Sequence, residues 1–83
     1  MSNATLEYLS KSMNSNVLVS VKANYWLRGI LRSFDQHLNL VMDNVEAIFT
    51  SEEGSENQIL KIGKRVLIRG DNIVAISSPN LLK

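Results

Sequence analysis

"RGILRSFDQHLNLVMDN", residues 28–44, sets a cluster of polar side chains between two apolar strand patterns. Strands carry polar residues at alternate positions or in turns. Asp35, Gln36 and His37, with Asn39 just beyond, therefore read as a turn between two strands whose side chains are available for chemistry. Gly29 lies inside the first of these strands, where a missing Cβ permits a sharp bend or a close backbone approach. About thirty residues later "LIRGDNI", 67–73, repeats the arrangement, with Arg69, Gly70 and Asp71 interrupting another apolar strand.

The period of two extends outward from this stretch. Val17, Val19 and Val21 alternate with Leu18, Ser20 and Lys22, which predicts a half-buried strand. A turn at Asn24-Tyr25 leads to a second strand over 26–34, and a third strand is expected over 38–50. "SEEGSEN", 51–57, is a polar tip; a fourth strand covers 58–69, with Gly63 as a second kink, and a fifth covers 72–77 before Pro79 ends the pattern. Ahead of the strands, Leu6, Leu9 and Met13 share one face of a helix over 3–13, capped by Asn3 or Thr5 and ended at Asn14-Ser15-Asn16. The expected fold is mainly β: one domain over 1–83, a short helix followed by five antiparallel strands bent into a small open barrel.

Composition narrows the function. A chain of 83 residues has a small core and gains from oligomerisation. It contains no cysteine and a single histidine, so disulfides, thiolate zinc sites and a histidine-built metal site within one chain are not expected. Nine basic against eight acidic residues argue against coating nucleic acid by bulk charge, though not against a local basic site. No basic leader and no apolar run of about 18 residues is present, which reads as a soluble cytoplasmic protein without membrane contact. No nucleophile–base pair, metal cluster or phosphate-cradling glycine loop appears, so neither an enzyme, a cofactor nor a small-molecule substrate is expected.

The two interrupted stretches resemble the two motifs of the Sm and Sm-like (LSm) RNA-binding proteins. Residues 28–44 are similar to the first motif through Gly29, Leu31, Phe34, Asp35, Asn39 and Leu40. Residues 67–76, "LIRGDNIVAI", are similar to the second through Arg69, Gly70 and Ile73. "IRGD" resembles the archaeal and eukaryotic branch, not bacterial Hfq with its Lys-His-containing signature. The likeness runs from the helix to Ser77, and the short loop and tail are most like archaeal homomeric members.

This resemblance implies a ring, most often of seven subunits, in which the fourth-strand edge of one subunit pairs with the fifth-strand edge of the next. It also implies binding of uridine-rich single-stranded RNA at a central pore, in RNA processing or ribonucleoprotein assembly. By position, the RNA-binding residues would be His37, Asn39, Arg69, Gly70 and Asp71. His37 and Arg69 offer flat faces for a base. Asn39 offers a donor and an acceptor that match O4 and N3–H of uracil, and Asp71 would hold its amide in that orientation. Gly70 lets the backbone approach, while Asp35 and Gly29 would be structural in the pore loop.

Other features have plainer readings. "RGD" at 69–71 reads as a turn and not an adhesion motif, and Lys64-Arg65 as a solvated edge. Tyr25-Trp26 departs from the small or polar residues usual in the family. Covering one end of the sheet is preferred for this pair over stacking on RNA. The alternative function is a ring-shaped protein-assembly scaffold with a vestigial RNA pocket.

Overall fold

The computed structural model describes residues 4–50 and 57–78, leaving aside the side chains of Thr50 and Asn57. Helix α1 spans Ala4–Lys11, followed by β1 (Asn16–Val21), β2 (Tyr25–Phe34), β3 (Leu40–Thr50), β4 (Asn57–Ile68), a 3-10 turn (Gly70–Asn72) and β5 (Ile73–Ser77). The five strands form one antiparallel sheet in the order β4-β3-β2-β1-β5. The expected polar tip before Asn57, the Asn3 cap and the stop at Pro79 lie outside the described residues.

The helix is shorter than its apolar spacing suggests. Ser12 and Met13 donate to the carbonyls of Leu9 and Ser10 at 3.0 and 3.3 Å, tightening the last turn, and Asn14 leaves it with φ 63°. Eight residues do not hold a helix in water, so tertiary docking must. Leu9 is buried in the core, and the Tyr8 hydroxyl donates to the carbonyl of Ile76 at 3.3 Å.

β1 supplies Val17, Val19 and Val21 to one face, β2 supplies Leu27 and Leu31, and β3 supplies Leu40, Met42, Val45 and Ala47. Each fully buried aliphatic side chain is worth about 1.5–3 kcal/mol, and with Leu9 and Ile68 these side chains form one core. Tyr25 belongs to β2, not to the preceding turn, because Asn24 takes the left-handed conformation (φ 65°) and completes the reversal first. Its ring packs against Phe49, with centroids 5.0 Å apart, and against the core cluster.

A line of irregularities bends the sheet. The β2–β3 register shifts across Gly29, and the β3–β4 register shifts between Val45 and Glu46, leaving Ile62 as an extra residue beside Gly63. Asn44, between the two, has φ 54°. A Cβ on Gly29 would stand 2.8 Å from the Asp43 carbonyl oxygen, so only glycine lets β2 and β3 close at the bend. Gly63 has no such crowding, since a Cβ there would meet only Val66 at an ordinary 3.6 Å.

Both sheet edges are bare of strand partners among the described residues. β4 exposes Ile59, Leu60, Ile62 and Leu67, the last at 66%, and β5 exposes Val74 at 64%. An apolar, unpaired edge of this length is a template for pairing with another chain.

Candidate nucleic-acid interface

The β2–β3 turn is built around one carboxylate. Asp35 Oδ1 accepts the backbone N–H groups of His37 and Asn39 at 2.9 and 3.0 Å, and Oδ2 accepts the Asn39 side-chain N–H at 3.0 Å. The Asn39 amide, followed by its backbone N–H, holds the Asp35 carboxyl below its ordinary range. The Leu38 N–H donates to the Asp35 carbonyl at 3.0 Å, and Leu38 itself takes φ 64°. A left-handed leucine is costly; here its side chain packs on the core, which holds the turn in that shape.

The second turn comes up against the first. Arg69 is extended, and Gly70 begins the 3-10 turn closed by the Asn72 N–H donating to the Arg69 carbonyl at 3.0 Å. Gly70 donates its N–H to Asn39 Oδ1 at 2.8 Å. A Cβ on Gly70 would fall inside the His37 carbonyl oxygen and 2.9 Å from the Leu38 carbonyl carbon. The two backbones therefore lie in contact, and glycine is required by the approach. On the far side, the Lys22 N–H donates to the Asn72 carbonyl at 3.0 Å, anchoring the second turn to the end of β1. Nothing in the alternation of the strands signals that anchor.

His37, Asn39, Arg69, Gly70 and Asp71 line one open hollow of about 480 Å³. His37 is exposed at its rim, and the Arg69 guanidinium, 73% exposed, pairs with the Asp71 carboxylate at 3.1 Å. Asp71 does not take the orienting role expected of it from the sequence. Asp71 pairs with Arg69, while the carboxylate that orients Asn39 is Asp35. The outcome for the amide is the same: its nitrogen faces a carboxylate, its oxygen faces an N–H donor, and the reversed orientation would oppose like with like at both ends. Each end keeps one further hydrogen-bonding position, a lone pair on the oxygen and an N–H on the nitrogen.

The pairing of these two turns on a bent five-stranded sheet behind a short helix is matched by a family model, the LSM domain, over residues 7–78. The chain belongs to the LSM family. Among its Sm-like relatives, a Methanococcoides burtonii protein described as snRNP Sm-like is 39% identical over 77 residues, covering 93% of this chain and 99% of that one. The Sm protein of Pyrococcus abyssi, solved in complex with a uridine heptamer, is 36% identical with TM-score 0.72, covering 88% of this chain and 94% of that one. The P. aerophilum SmAP1 heptamer is 35% identical with TM-score 0.78, covering 94% and 96% of the two chains. In this Sm-like chain, no helix among the described residues is long and apolar enough to cross a membrane.

Proposed function

We propose that this protein is a single-domain, ring-forming Sm-like subunit that binds uridine-rich single-stranded RNA in the hollow between its two turns, without catalysing a reaction. The observation that carries this reading is the fixed Asn39 amide. With Oδ1 already accepting from Gly70 and Nδ2 already donating to Asp35, it presents one acceptor and one donor in a set order. Uracil answers with N3–H and O4; cytosine presents an acceptor at N3 and a donor at N4 and meets the amide the wrong way round. His37 and Arg69 supply flat faces for the ring, and Arg69 supplies the charge.

Ring closure supports the same reading. The apolar β4 edge and the free β5 edge are unlike surfaces, and head-to-tail pairing of unlike edges closes into a ring or grows a filament. The relative from P. aerophilum is a heptamer, and that from P. abyssi was solved with a uridine heptamer. A ring of seven copies would place an Arg69 from each around one pore and concentrate a positive field that the net charge of +1 conceals. Such a subunit would serve RNA processing or ribonucleoprotein assembly inside the cell.

The test is competition between oligo-uridine and oligo-cytidine for the purified protein at several salt concentrations. Preference for uridine that persists as salt rises supports base recognition; equal binding of both would mean backbone contact without base reading, and binding of neither would leave a scaffold ring with a vestigial pocket.

A further inference from the structure

The outward face of β2, β3 and β4, away from the hollow, carries a second arrangement of charge. The register puts Arg28 opposite Glu46 and Glu46 opposite Lys61, with Asp43 opposite Arg65 in the neighbouring row. Arg28 donates to Glu46 Oε1 through Nη2 and Nε at 2.9 and 3.3 Å. Asp43 accepts from Arg65 at 2.8 and 3.0 Å and from Arg32 at 2.9 Å, and Arg32 also reaches the Asn14 side chain at 2.8 Å. Lys61 and Lys64 are exposed and take part in none of the ion pairs among the described residues. Lys64 lines an open hollow with Asp43, Asn44 and Arg65.

Five cations thus stand with two carboxylates, a surplus of three on a chain whose net charge is +1. The carboxylates do not use up the guanidiniums. Arg28, Arg32 and Arg65 each donate twice to protein acceptors, and a guanidinium carries five N–H groups. The pairing instead holds the forks in place, which lowers the ordering cost of binding a further anion. Trp26 lies two residues before Arg28 on the same face, half-buried and opposite Ile48, so an aromatic surface adjoins the charged rows. Edge-to-edge pairing would engage the backbones of β4 and β5 and leave this face of β2 and β3 open.

We propose that this face is a second, sequence-independent contact for the sugar–phosphate backbone of the same RNA, with Arg28, Arg32, Lys61, Lys64 and Arg65 meeting phosphates and Trp26 offering a stacking surface. It rests on the RNA-binding reading of the protein, but not on uridine recognition by Asn39. The occupant is RNA because the surplus is positive, is laid out in rows along strands, and ends at an aromatic ring, the combination that single strands engage without sequence preference.

The test uses the intact ring and the double variant Lys61→Glu/Lys64→Glu, whose wild-type side chains make no ion pair that folding would miss. Native mass spectrometry confirms assembly, and Arg28→Gln serves as a second variant if the double one does not assemble. Two probes are compared: an oligo-adenosine of about 30 nucleotides, and an oligo-uridine of about one nucleotide per subunit, near what the pore pockets alone would hold. The variant should lose about tenfold or more in affinity for the long oligo-adenosine, with a shallower salt dependence, and keep its affinity for the short oligo-uridine. Asn39→Ala should do the reverse. Unchanged binding of the long strand overturns the proposal and leaves the face for an acidic protein. Equal loss on both probes also overturns it, because the lysines then act only through the field at the pore. Failure of wild type to bind short oligo-uridine would instead sink the pore reading, while a long-strand loss in the double variant would still support the face.

Discussion

The side-chain oxygen of Asn39 accepts the backbone N–H of Gly70 at 2.8 Å, across 31 positions of sequence. That bond joins the β2–β3 turn to the turn before β5, and neither turn forms the hollow alone. Gly70→Ala would place a methyl group against the His37 carbonyl and push the turns apart. The expected outcome is a loss of about 1–3 kcal/mol in unfolding free energy, typical of overpacking, together with loss of oligo-uridine binding. Denaturant unfolding and a binding titration on the same preparation check both.

Asp35 should govern selectivity. Asp35→Ala removes the acceptor that fixes the Asn39 amide nitrogen and frees two backbone N–H groups of the turn. The preference for oligo-uridine over oligo-cytidine should fall more than affinity for uridine itself. Because the folded carboxyl titrates below its ordinary value of 3.8, its stabilisation is complete above that value and is lost as pH falls through the lower folded value. Selectivity of the wild type should therefore be flat from neutral pH to about 5, in the range where the Asp35 carboxyl stays ionised. A change between those limits would point to a group other than Asp35.

Asp71 has the opposite expected effect. Its carboxylate pairs with the Arg69 guanidinium at 3.1 Å, competing with any phosphate or base for that cation. Asp71→Asn should leave uridine-over-cytidine selectivity intact and raise affinity for both homopolymers, most at low salt. Arg69→Ala should weaken both and flatten the salt dependence. Homopolymer competition on the two variants separates these outcomes; a loss of selectivity in Asp71→Asn would show that Asp71 does orient the base-reading amide.

Much of this architecture is readable in the sequence, and the features that are not share a cause. Alternation of Val17, Val19 and Val21, and the apolar runs around Phe34 and Leu40, located the strands because burial on one face repeats every two residues. The five residues expected at the RNA site do line one hollow. What alternation cannot convey is the direction of a turn. Leu38 at φ 64° curls the chain so that Asp35 meets the Asn39 amide four residues on, while Asp71 sits nearer Arg69. Composition places Tyr25 in a turn for the same reason: the left-handed Asn24 ends the reversal one residue earlier than composition suggests. The bend is half readable, through Gly29; Asn44 opposite it is a residue type that tolerates the left-handed region, but its place inside an apolar strand pattern does not announce the φ of 54° it takes.

The outward salt-bridge cluster predicts an acid response. Asp43 is held to about 2 by its hydrogen bonds to Arg65 and Arg32, against an ordinary 3.8. Its folded value is depressed, so its contribution is complete above 3.8 and disappears as pH falls towards 2. The difference in melting temperature between wild type and Asp43→Asn should be constant from neutral pH to about 4, then shrink as the carboxylate protonates. Thermal scans across that range check it; no difference at neutral pH would mean the ion pairs contribute nothing, and a difference that shrinks well above pH 4 would mean a group other than Asp43 sets the acid limit.

If a fixed Asn39 amide reads uracil in an assembled ring, Asn39→Ala is the variant that decides it. Oligo-uridine binding and native mass spectrometry should be measured on the same sample. The expected result is a ring of unchanged size with affinity weakened by about 1–3 kcal/mol per occupied pocket, the cost of leaving a buried base edge without partners. Unchanged affinity in an intact ring would contradict base reading by Asn39, and a ring that dissociates would show that the residue's role is to hold the subunit's two turns together.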